Sequence, residues 1–194
     1  MEKLIFATNN AHKLTEVKQM LEGMYEVIGL EEAGIFEDIP ENEPTLEGNA
    51  KYKARFVYEK LNMNVFADDT GLEIDALNNE PGVYSARYAG EAKNSDDNIN
   101  KVLLKLSNVK NRSAQFRTTL CLIQNNQEFL FEGIVKGEIL EKPTGQAGFG
   151  YDPIFKPEGL SISFAQMGMK EKNEISHRGR AIQKFVQHLK TRIK

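Results

Sequence analysis

The stretch Leu4-Ile5-Phe6-Ala7-Thr8-Asn9-Asn10, near the start of the chain, decides the class of fold. Its continuous apolar run is typical of a short strand that is buried on both faces of a sheet. Apolar residues then recur at a spacing of three and four from Leu14 to Met24, which predicts a helix ending near Gly23. A strand followed directly by a helix is the opening of an α/β fold.

The alternation of strands and helices continues along the first third of the chain. Residues 25–30 predict a second strand, and an amphipathic helix is predicted to follow from Thr45 to Leu61. The run Val65-Phe66-Ala67 predicts a third, interior strand that ends at Asp68-Asp69-Thr70-Gly71. Residues 31–44 contain two prolines and many acids, and we expect an acidic loop there.

The remaining elements complete a mixed α/β pattern. Ser95 is the predicted cap of a helix that reaches Leu106. Residues 114–123 and 129–135 alternate in polarity on either side of Asn125-Asn126, which predicts a hairpin. A last helix, opened by Ser176, carries apolar residues on one face as far as Ile193. The sequence therefore predicts an α/β fold with a mixed sheet in a single domain over residues 1–194.

Composition excludes several classes of function. The 28 acidic and 25 basic side chains give a net charge of −3, which argues against a nucleic-acid partner. No apolar run approaches the roughly 20 residues of a membrane helix, so no membrane partner is expected. The single cysteine, Cys121, cannot form an internal disulfide, and the polar N-terminus lacks a signal-peptide core. We expect a soluble, cytoplasmic protein.

The connection Thr8-Asn9-Asn10-Ala11-His12-Lys13 joins a strand end to a helix start. Unpaired backbone N–H groups and the positive end of a helix favour an anion there, and Lys13 adds an ammonium group. Simple capping of the helix by Thr8 or Asn10 explains the same residues equally well.

Two adjacent carboxylates, Asp68 and Asp69, follow the third predicted strand. They repel each other, so a positive group such as Mg²⁺ is expected beside them, although capping of a turn is the alternative interpretation. Neighbouring side chains of a strand point to opposite faces, so both serve one ion only if a turn at Thr70-Gly71 redirects one of them. Glu41, in the acidic loop, is a further candidate ligand, and Lys53 is expected on the polar face of its helix, within reach of a phosphate.

The segment Gly145–Pro153 combines three glycines with aromatic residues. Phe149 and Tyr151 offer faces on which a nucleotide base stacks, and Asp152 offers an acceptor for a base N–H; plugging of the core by the two aromatic rings is the alternative. Further along, Ser176-His177-Arg178-Gly179 places a guanidinium group at a helix start. Such a group donates to the carbonyl oxygen and ring nitrogen of a 6-oxo purine and rejects adenine, whereas a solvated helix end is the alternative.

Six motifs, in one order along nearly the whole chain, resemble the inosine triphosphate pyrophosphatase family. They are Thr8-Asn9-Asn10-x-x-Lys13, Asn49-Ala50-x-x-Lys53-Ala54, Ala67-Asp68-Asp69-Thr70-Gly71-Leu72, Pro81-Gly82-Val83-Tyr84-Ser85-Ala86-Arg87-Tyr88, Phe149-Gly150-Tyr151-Asp152-Pro153 and Ser176-His177-Arg178-Gly179. The resemblance implies a two-lobed α/β fold whose central twisted sheet is flanked by helices, with a deep cleft, in a homodimer. It implies Mg²⁺-dependent hydrolysis of noncanonical purine nucleoside triphosphates (ITP, dITP and XTP) to the monophosphate and pyrophosphate.

The same resemblance implies roles for individual residues. Asp69 would be the catalytic base and a metal ligand, with Glu41 as the other metal carboxylate. The implied substrate-binding residues are Thr8, Asn9, Asn10, Lys13, Lys53, Thr70, Phe149, Gly150, Tyr151, Asp152, Lys172, His177 and Arg178.

Two other functions stay open at this point. A pyrophosphatase for modified pyrimidine or methylated nucleotides is disfavoured by Ser176-His177-Arg178. A nucleotide-binding module without hydrolysis is disfavoured by Asp68-Asp69, because binding alone requires no carboxylate base.

Overall fold

Six strands form one mixed sheet within residues 2–192, the part of the chain that this computed structural model describes. The strands are β1 (Glu2–Phe6), β2 (Tyr25–Ile28), β3 (Val65–Ile74), β4 (Ser113–Gln124), β5 (Gln127–Ile139) and β6 (Phe155–Pro157). Their order is β2-β1-β3-β4-β5-β6; β1 is parallel to β2 and β3, whereas β5 and β6 are antiparallel. The predicted mixed α/β fold is confirmed.

The helices are α1 (Ala11–Met20), α2 (Leu46–Leu61), α3 (Ser95–Lys105), α4 (Met169–Ile175) and α5 (His177–Arg192). The first of them ends earlier than predicted, and Gly23 lies in the turn beyond it with φ of 77°. The cap of α3 is Asn94, and not Ser95, because the Asn94 side chain accepts a hydrogen bond from the Asp97 backbone N–H. The sequence patterns did not predict α4, and Ile193 lies outside the described residues. Within residues 2–192, no helix has the length and the apolar character needed to cross a bilayer.

The chain divides into two compact units, each built from separate stretches. Unit 1 contains the described residues up to Asp69, Thr118–Gly133 and the described residues from Gly179 onward. Unit 2 contains Thr70–Arg117 and Ile134–Arg178. The boundary falls between Asp69 and Thr70, in the middle of β3.

Unit 1 has a sheet that is covered on both faces. Leu4 and Phe6 of β1 belong to one apolar cluster, with side chains of α1 and α5, whereas Ile5 and Ala7 belong to another, with side chains of α2. This alternation follows from the period of two in a strand, and it explains why the run from Leu4 to Ala7 is apolar without interruption.

Unit 2 is organised around one aromatic core. Phe116 lies against Phe155, with ring centroids 4.7 Å apart, and Phe164 packs beside both rings. The side chains of Leu72 and Ile74, on the second half of β3, belong to the same cluster.

The predicted hairpin is confirmed in the residues that join β4 to β5. Asn125 and Asn126 have φ angles of 51° and 61°, in the left-handed region that a tight two-residue hairpin turn requires. The strands extend beyond the predicted limits, to Ser113 at one end and Ile139 at the other.

The predicted end of β3 at Asp68-Asp69-Thr70-Gly71 is wrong. The strand continues through Asp69, Thr70 and Gly71 to Ile74, so no turn redirects either aspartate. Polar residues and a glycine led the sequence to predict a turn, but each carboxylate has a partner in the fold and can therefore remain buried inside a strand.

Candidate active site

The alternation of β3 sends its two aspartates to opposite faces of the sheet in unit 1. Asp68 meets Lys13 of α1, with Oδ1 2.9 Å from Nζ, and the carboxylate is almost fully buried. Asp69 faces α2, where the Asn49 side chain donates to its Oδ2 at 2.9 Å. Each carboxylate is thus paired with a helix of its own layer, and the two do not converge on one ion as a turn would have allowed.

Helix α2 presents two polar residues to Asp69. Asn49 and Lys53 are four positions apart and therefore share one face of the helix, and both are buried. The Lys53 ammonium lies 3.9 Å from Oδ1 of Asp69 and forms an ion pair with Glu41. The prediction that Lys53 lies on the polar face of the helix is wrong, because these carboxylates hold its ammonium inside the fold.

Charges in this group shift the pKa values of its members. Burial alone lowers the pKa of Lys53, but the carboxylates of Asp69, Glu41 and Asp68 outweigh burial, and its pKa is raised. Burial raises the pKa of Asp69, against the opposing effects of Lys53 and Lys13. Lys53 therefore stays positively charged, and Asp69 is a stronger base than an aspartate in water.

The two carboxylates around Lys53 are suited to a hard metal ion. Glu41 and Asp69 both approach its ammonium, so the fold already accommodates positive charge at this place. Among residues 2–192, no group of three or more His, Cys, Asp and Glu side chains is arranged to hold a metal by itself. Mg²⁺ is usually bound by one or two carboxylates and completes its shell with water and substrate phosphates. The pair therefore fits a Mg²⁺ ion that arrives with a phosphate substrate.

The connection from β1 to α1 has the capping geometry that was the alternative interpretation. Asn10 is the N-cap of α1, since its Oδ1 accepts a hydrogen bond from the Lys13 backbone N–H at 3.1 Å. Thr8 accepts from the Asn10 N–H at 3.2 Å, and the exposed Asn9 donates to Asp38. Capping does not preclude anion binding, and the role of these side chains in phosphate binding stays a prediction.

The glycine-rich segment of unit 2 closes around Asp152. Its Oδ2 accepts from the Phe149 backbone N–H at 2.8 Å and from the Lys172 ammonium at 2.7 Å. Gly148 has a φ of 75°, and a Cβ atom there would lie only 2.1 Å from Oδ2 of Asp152. Asp152 therefore orients Lys172 and the loop, and the predicted contact of its carboxylate with a base stays a prediction.

Two cations lie over the ring of Phe149. The Lys172 ammonium is 4.7 Å from the ring centroid and the Arg178 guanidinium carbon is 5.6 Å from it. Gly150 follows the ring with φ of 59°. The predicted stacking residue therefore lies beside two of the predicted substrate-binding residues, and its role in stacking a base stays a prediction.

The predicted helix start within Ser176-His177-Arg178-Gly179 is confirmed, since α5 begins at His177, and the side chains of His177 and Arg178 are buried. Arg178 Nη2 donates to the Thr70 hydroxyl at 3.3 Å. The His177 ring stacks on Phe116, with centroids 4.6 Å apart and an interplanar angle of 18°. The solvated helix end that was the alternative does not occur, because both side chains are enclosed in unit 2.

Tyr151 packs in the core, as the alternative interpretation of the glycine-rich segment predicted. Its ring belongs to the apolar core of unit 2, and its hydroxyl donates to the Ser85 carbonyl at 2.7 Å. Stacking of a base on this ring is therefore disfavoured, and a substrate contact through the Tyr151 backbone stays a prediction.

Sequence reasoning gave no role to three residues of these groups. Asn49 contacts Asp69, Ser85 contacts the Tyr151 hydroxyl, and Phe116 supports His177. The spacing of Asn49 and Lys53 by four residues could have indicated the contact of Asn49 with Asp69, since residues four apart share a helix face. The alternation of residues 114–123 predicted that Phe116 is inward, but not which ring it contacts.

Comparison with known proteins finds relatives that match nearly the whole chain. A family model described as the Ham1 family matches residues 4–188. A curated dITP/XTP pyrophosphatase of Flavobacterium johnsoniae is 54% identical over 184 residues, which cover 95% of this chain and 96% of that protein. A second, from Porphyromonas gingivalis, is 54% identical over 183 residues and 94% of each chain.

Solved structures match over almost the full length as well. The Staphylococcus aureus Ham1 protein is 41% identical, with a TM-score of 0.88 over 98% of this chain and 99% of that one. A HAM1 protein from Coxiella burnetii is 36% identical, with a TM-score of 0.89 over 98% of this chain and 100% of that one.

Proposed function

Because the chain belongs to the Ham1 family, we propose that it hydrolyses noncanonical purine nucleoside triphosphates such as dITP, ITP and XTP. The products are the nucleoside monophosphate and pyrophosphate. The names of the dITP/XTP pyrophosphatases that share about half of their residues with this chain support the substrate class. The single observation that carries the reaction type is the group formed by the buried Asp69, Asn49 and Lys53 with the half-buried Glu41.

Asp69 is the proposed catalytic base. A water molecule attacks the α-phosphorus, its proton passes to the Asp69 carboxylate, and the bond to the bridging oxygen breaks as pyrophosphate leaves. The raised pKa of Asp69, caused first by burial, supports this role at neutral pH. Asn49 keeps one carboxylate oxygen engaged at 2.9 Å and so limits rotation of the base.

The phosphate chain is the proposed ligand of the cations in unit 1. Lys13 and Lys53 provide two ammonium groups, and the N-terminus of α1 beyond Thr8, Asn9 and Asn10 provides a favourable dipole. Glu41 and Asp69 would hold Mg²⁺, which supplies positive charge against the phosphate oxygens when it is bound. The identity of this metal rests on the donor set and on the resemblance.

The base is the proposed ligand of the residues in unit 2. Phe149 offers a ring face with Lys172 and Arg178 over it, and His177, whose ring stacks on Phe116, is a further proposed contact. Arg178 Nη2 donates to the Thr70 hydroxyl at 3.3 Å, and a guanidinium group is the donor that pairs with the carbonyl oxygen and ring nitrogen of a 6-oxo purine. An adenine amino group would face donors only, so ATP is rejected.

A substrate panel tests the proposal. ITP, XTP, GTP, ATP, a methylated nucleoside triphosphate and a modified pyrimidine triphosphate are assayed with and without Mg²⁺, and pyrophosphate and orthophosphate are measured separately. We expect Mg²⁺-dependent release of pyrophosphate from ITP and XTP, with ATP at least about 100-fold poorer in kcat/KM. Preference for methylated or pyrimidine triphosphates, or tight binding of ITP without product, would instead support one of the two alternative functions. The homodimer and the cytoplasmic location stay predictions.

A further inference from the structure

The segment Pro81–Tyr88 has no part in the steps above, although it was one of the motifs that the sequence singled out. Its residues Gly82–Arg87 form a short 3₁₀ helix in unit 2. The segment lies directly against β3, because a Cβ atom at Gly71 would be only 2.6 Å from the Gly82 carbonyl oxygen. Gly71 is the residue after Thr70, which holds Arg178.

Ser85 connects this segment to β3 through its side chain. Its Oγ accepts a hydrogen bond from the Leu72 backbone N–H at 2.9 Å and donates one to the Gly82 carbonyl at 2.6 Å. The hydroxyl has a single proton, which goes to Gly82, so Ser85 is both donor and acceptor in a buried position.

Ser85 connects the same segment to the glycine-rich loop through its backbone. The Tyr151 hydroxyl donates to the Ser85 carbonyl oxygen at 2.7 Å, and both residues are buried. Tyr151 is followed by Asp152, whose carboxylate holds Lys172 and the Phe149 backbone N–H. Ser85 therefore contacts the strand that orients Arg178 and the loop that orients Lys172.

We propose that Ser85 and the Tyr151 hydroxyl are positioning residues that determine the selectivity for a 6-oxo purine. We name this group the Ser85 junction, made of Leu72, Gly82, Ser85 and Tyr151. It fixes the separation between the Arg178 guanidinium and the group of Phe149, Asp152 and Lys172. The proposal rests on the proposed function, since selectivity is measured with the substrates assigned there.

Selectivity depends on this separation because two donors must meet two fixed acceptors of one base. A displacement of about 1 Å from productive geometry can cost about 100-fold in rate. A loosened junction weakens the paired hydrogen bonds to a 6-oxo purine and also lets the donors move away from an amino group. The kcat/KM for ITP therefore falls while that for ATP rises, so the ITP/ATP ratio of kcat/KM decreases.

Tyr151→Phe tests the proposal, because it keeps the core ring and removes only the hydroxyl. We expect a KM for ITP about tenfold higher, a smaller change in kcat, and an ITP/ATP ratio of kcat/KM reduced about tenfold. Tyr88→Phe is the matched control: Tyr88 is also buried in unit 2, but its hydroxyl donates to Glu80 at 2.7 Å. This control should change the ratio less than about twofold.

Ser85→Ala provides a second variant that breaks the junction at the strand. The ITP/ATP ratio of kcat/KM should also fall in this variant. In the double variant the ratio should be no lower than in the more impaired single variant, because both substitutions disrupt the same Ser85 junction. A thermal melt of each protein separates selectivity from stability. An unchanged ratio in folded Tyr151→Phe and Ser85→Ala proteins overturns the proposal, and so does loss of folding in both. A wild-type protein that does not hydrolyse ITP overturns the proposed function, and this inference with it.

Discussion

The side-chain amide of Asn49 donates a hydrogen bond to Oδ2 of Asp69 at 2.9 Å, and both residues are buried in unit 1. The other end of the same amide accepts from the Glu43 backbone N–H at 3.0 Å. Asn49 thus ties the proposed base to the acidic loop that carries Glu41. This relationship makes the orientation of Asp69 a property of α2 as well as of its own strand.

Replacement of the proposed base tests the reaction. Asp69→Asn keeps the size of the side chain and removes the proton acceptor, so kcat for ITP should fall about 10³-fold. The affinity for ITP, measured by calorimetry, should change less than about threefold, because the lysines and the residues around Phe149 remain.

Asp75→Asn is the control for this variant, since Asp75 is an exposed carboxylate of unit 2. The control should keep wild-type kinetics. Near-normal turnover of Asp69→Asn would refute the assignment of the base.

The Asn49 amide can be converted to a carboxylate without a change of shape. Asn49→Asp would place a second negative charge at hydrogen-bond distance from Asp69, and we expect the free energy of unfolding to fall by about 3 kcal/mol at pH 7.5. The loss should shrink as the pH is lowered, because the pKa of Asp69 is already raised and a proton shared by the pair removes the repulsion. Urea unfolding at several pH values measures both effects.

Asn94→Asp serves as the comparison, because Asn94 is an exposed helix cap and aspartate caps equally well. Its stability should stay within about 0.5 kcal/mol of wild type. Equal losses of unfolding free energy in Asn49→Asp and Asn94→Asp would show that the effect does not come from the contact with Asp69.

Gly148 and Gly159 form a natural pair for testing the glycine-rich loop. Both have positive φ, at 75° and 79°, but only a Cβ at Gly148 meets the Asp152 carboxylate, whereas no atom lies within 4 Å of one at Gly159. Gly159→Ala should therefore cost about 1 kcal/mol from backbone strain alone. Gly148→Ala should cost more and should also raise the KM for ITP, because Asp152 can no longer orient Lys172. Equal stability and equal KM in the two variants would contradict this role of the loop.

Cys121 should be unreactive in the native protein. Burial raises the pKa of its thiol to about 12, from an ordinary value of 9.0. At pH 8 the reactive thiolate is then about 10³-fold rarer than in the unfolded chain. The thiol also ionises only in the unfolded chain as the pH rises from 9 towards 12, so its contribution to stability is lost across that interval.

Iodoacetamide labelling followed by mass spectrometry measures this reactivity, with the protein in concentrated urea as the reference. Labelling of the native protein at the rate seen in urea would contradict the burial of Cys121.

Periodicity predicted the elements in which buried apolar residues recur at a regular spacing. The uninterrupted run in β1 and the three- and four-residue spacing in α2 each reflect one pattern of contact, on two faces or on one. Helix α4 has charged residues around most of its circumference and offers no such pattern, so it was missed. The second half of β3 was missed because Asp69, Thr70 and Gly71 are typical of turns, and their long-range partners cannot be read from neighbouring residues.

The sequence predicted which residues belong to the candidate site, but not the contacts that orient them. The sequence identified Asp69, Lys53 and Arg178, whereas the contacts that orient them come from residues distant in the chain, such as Asn49 and Thr70. The burial of Lys53 is the clearest case. An amphipathic pattern assigns a lysine to solvent, and only the fold supplies the acidic residues that keep it inside.

A change in the length of strand β3 would disturb the contacts of its two aspartates. Its side chains alternate strictly, so that Asp68 meets one layer of unit 1 and Asp69 the other. Deletion or insertion of a single residue before Asp68 would turn every later side chain to the opposite face. A deletion would bring Asp69 to the side of Lys13 and leave Thr70 facing Lys53, whereas an insertion would bring Asp68 to the side of Lys53 and leave the inserted residue facing Lys13. Either indel would remove one of the two aspartate–lysine contacts without replacing any residue.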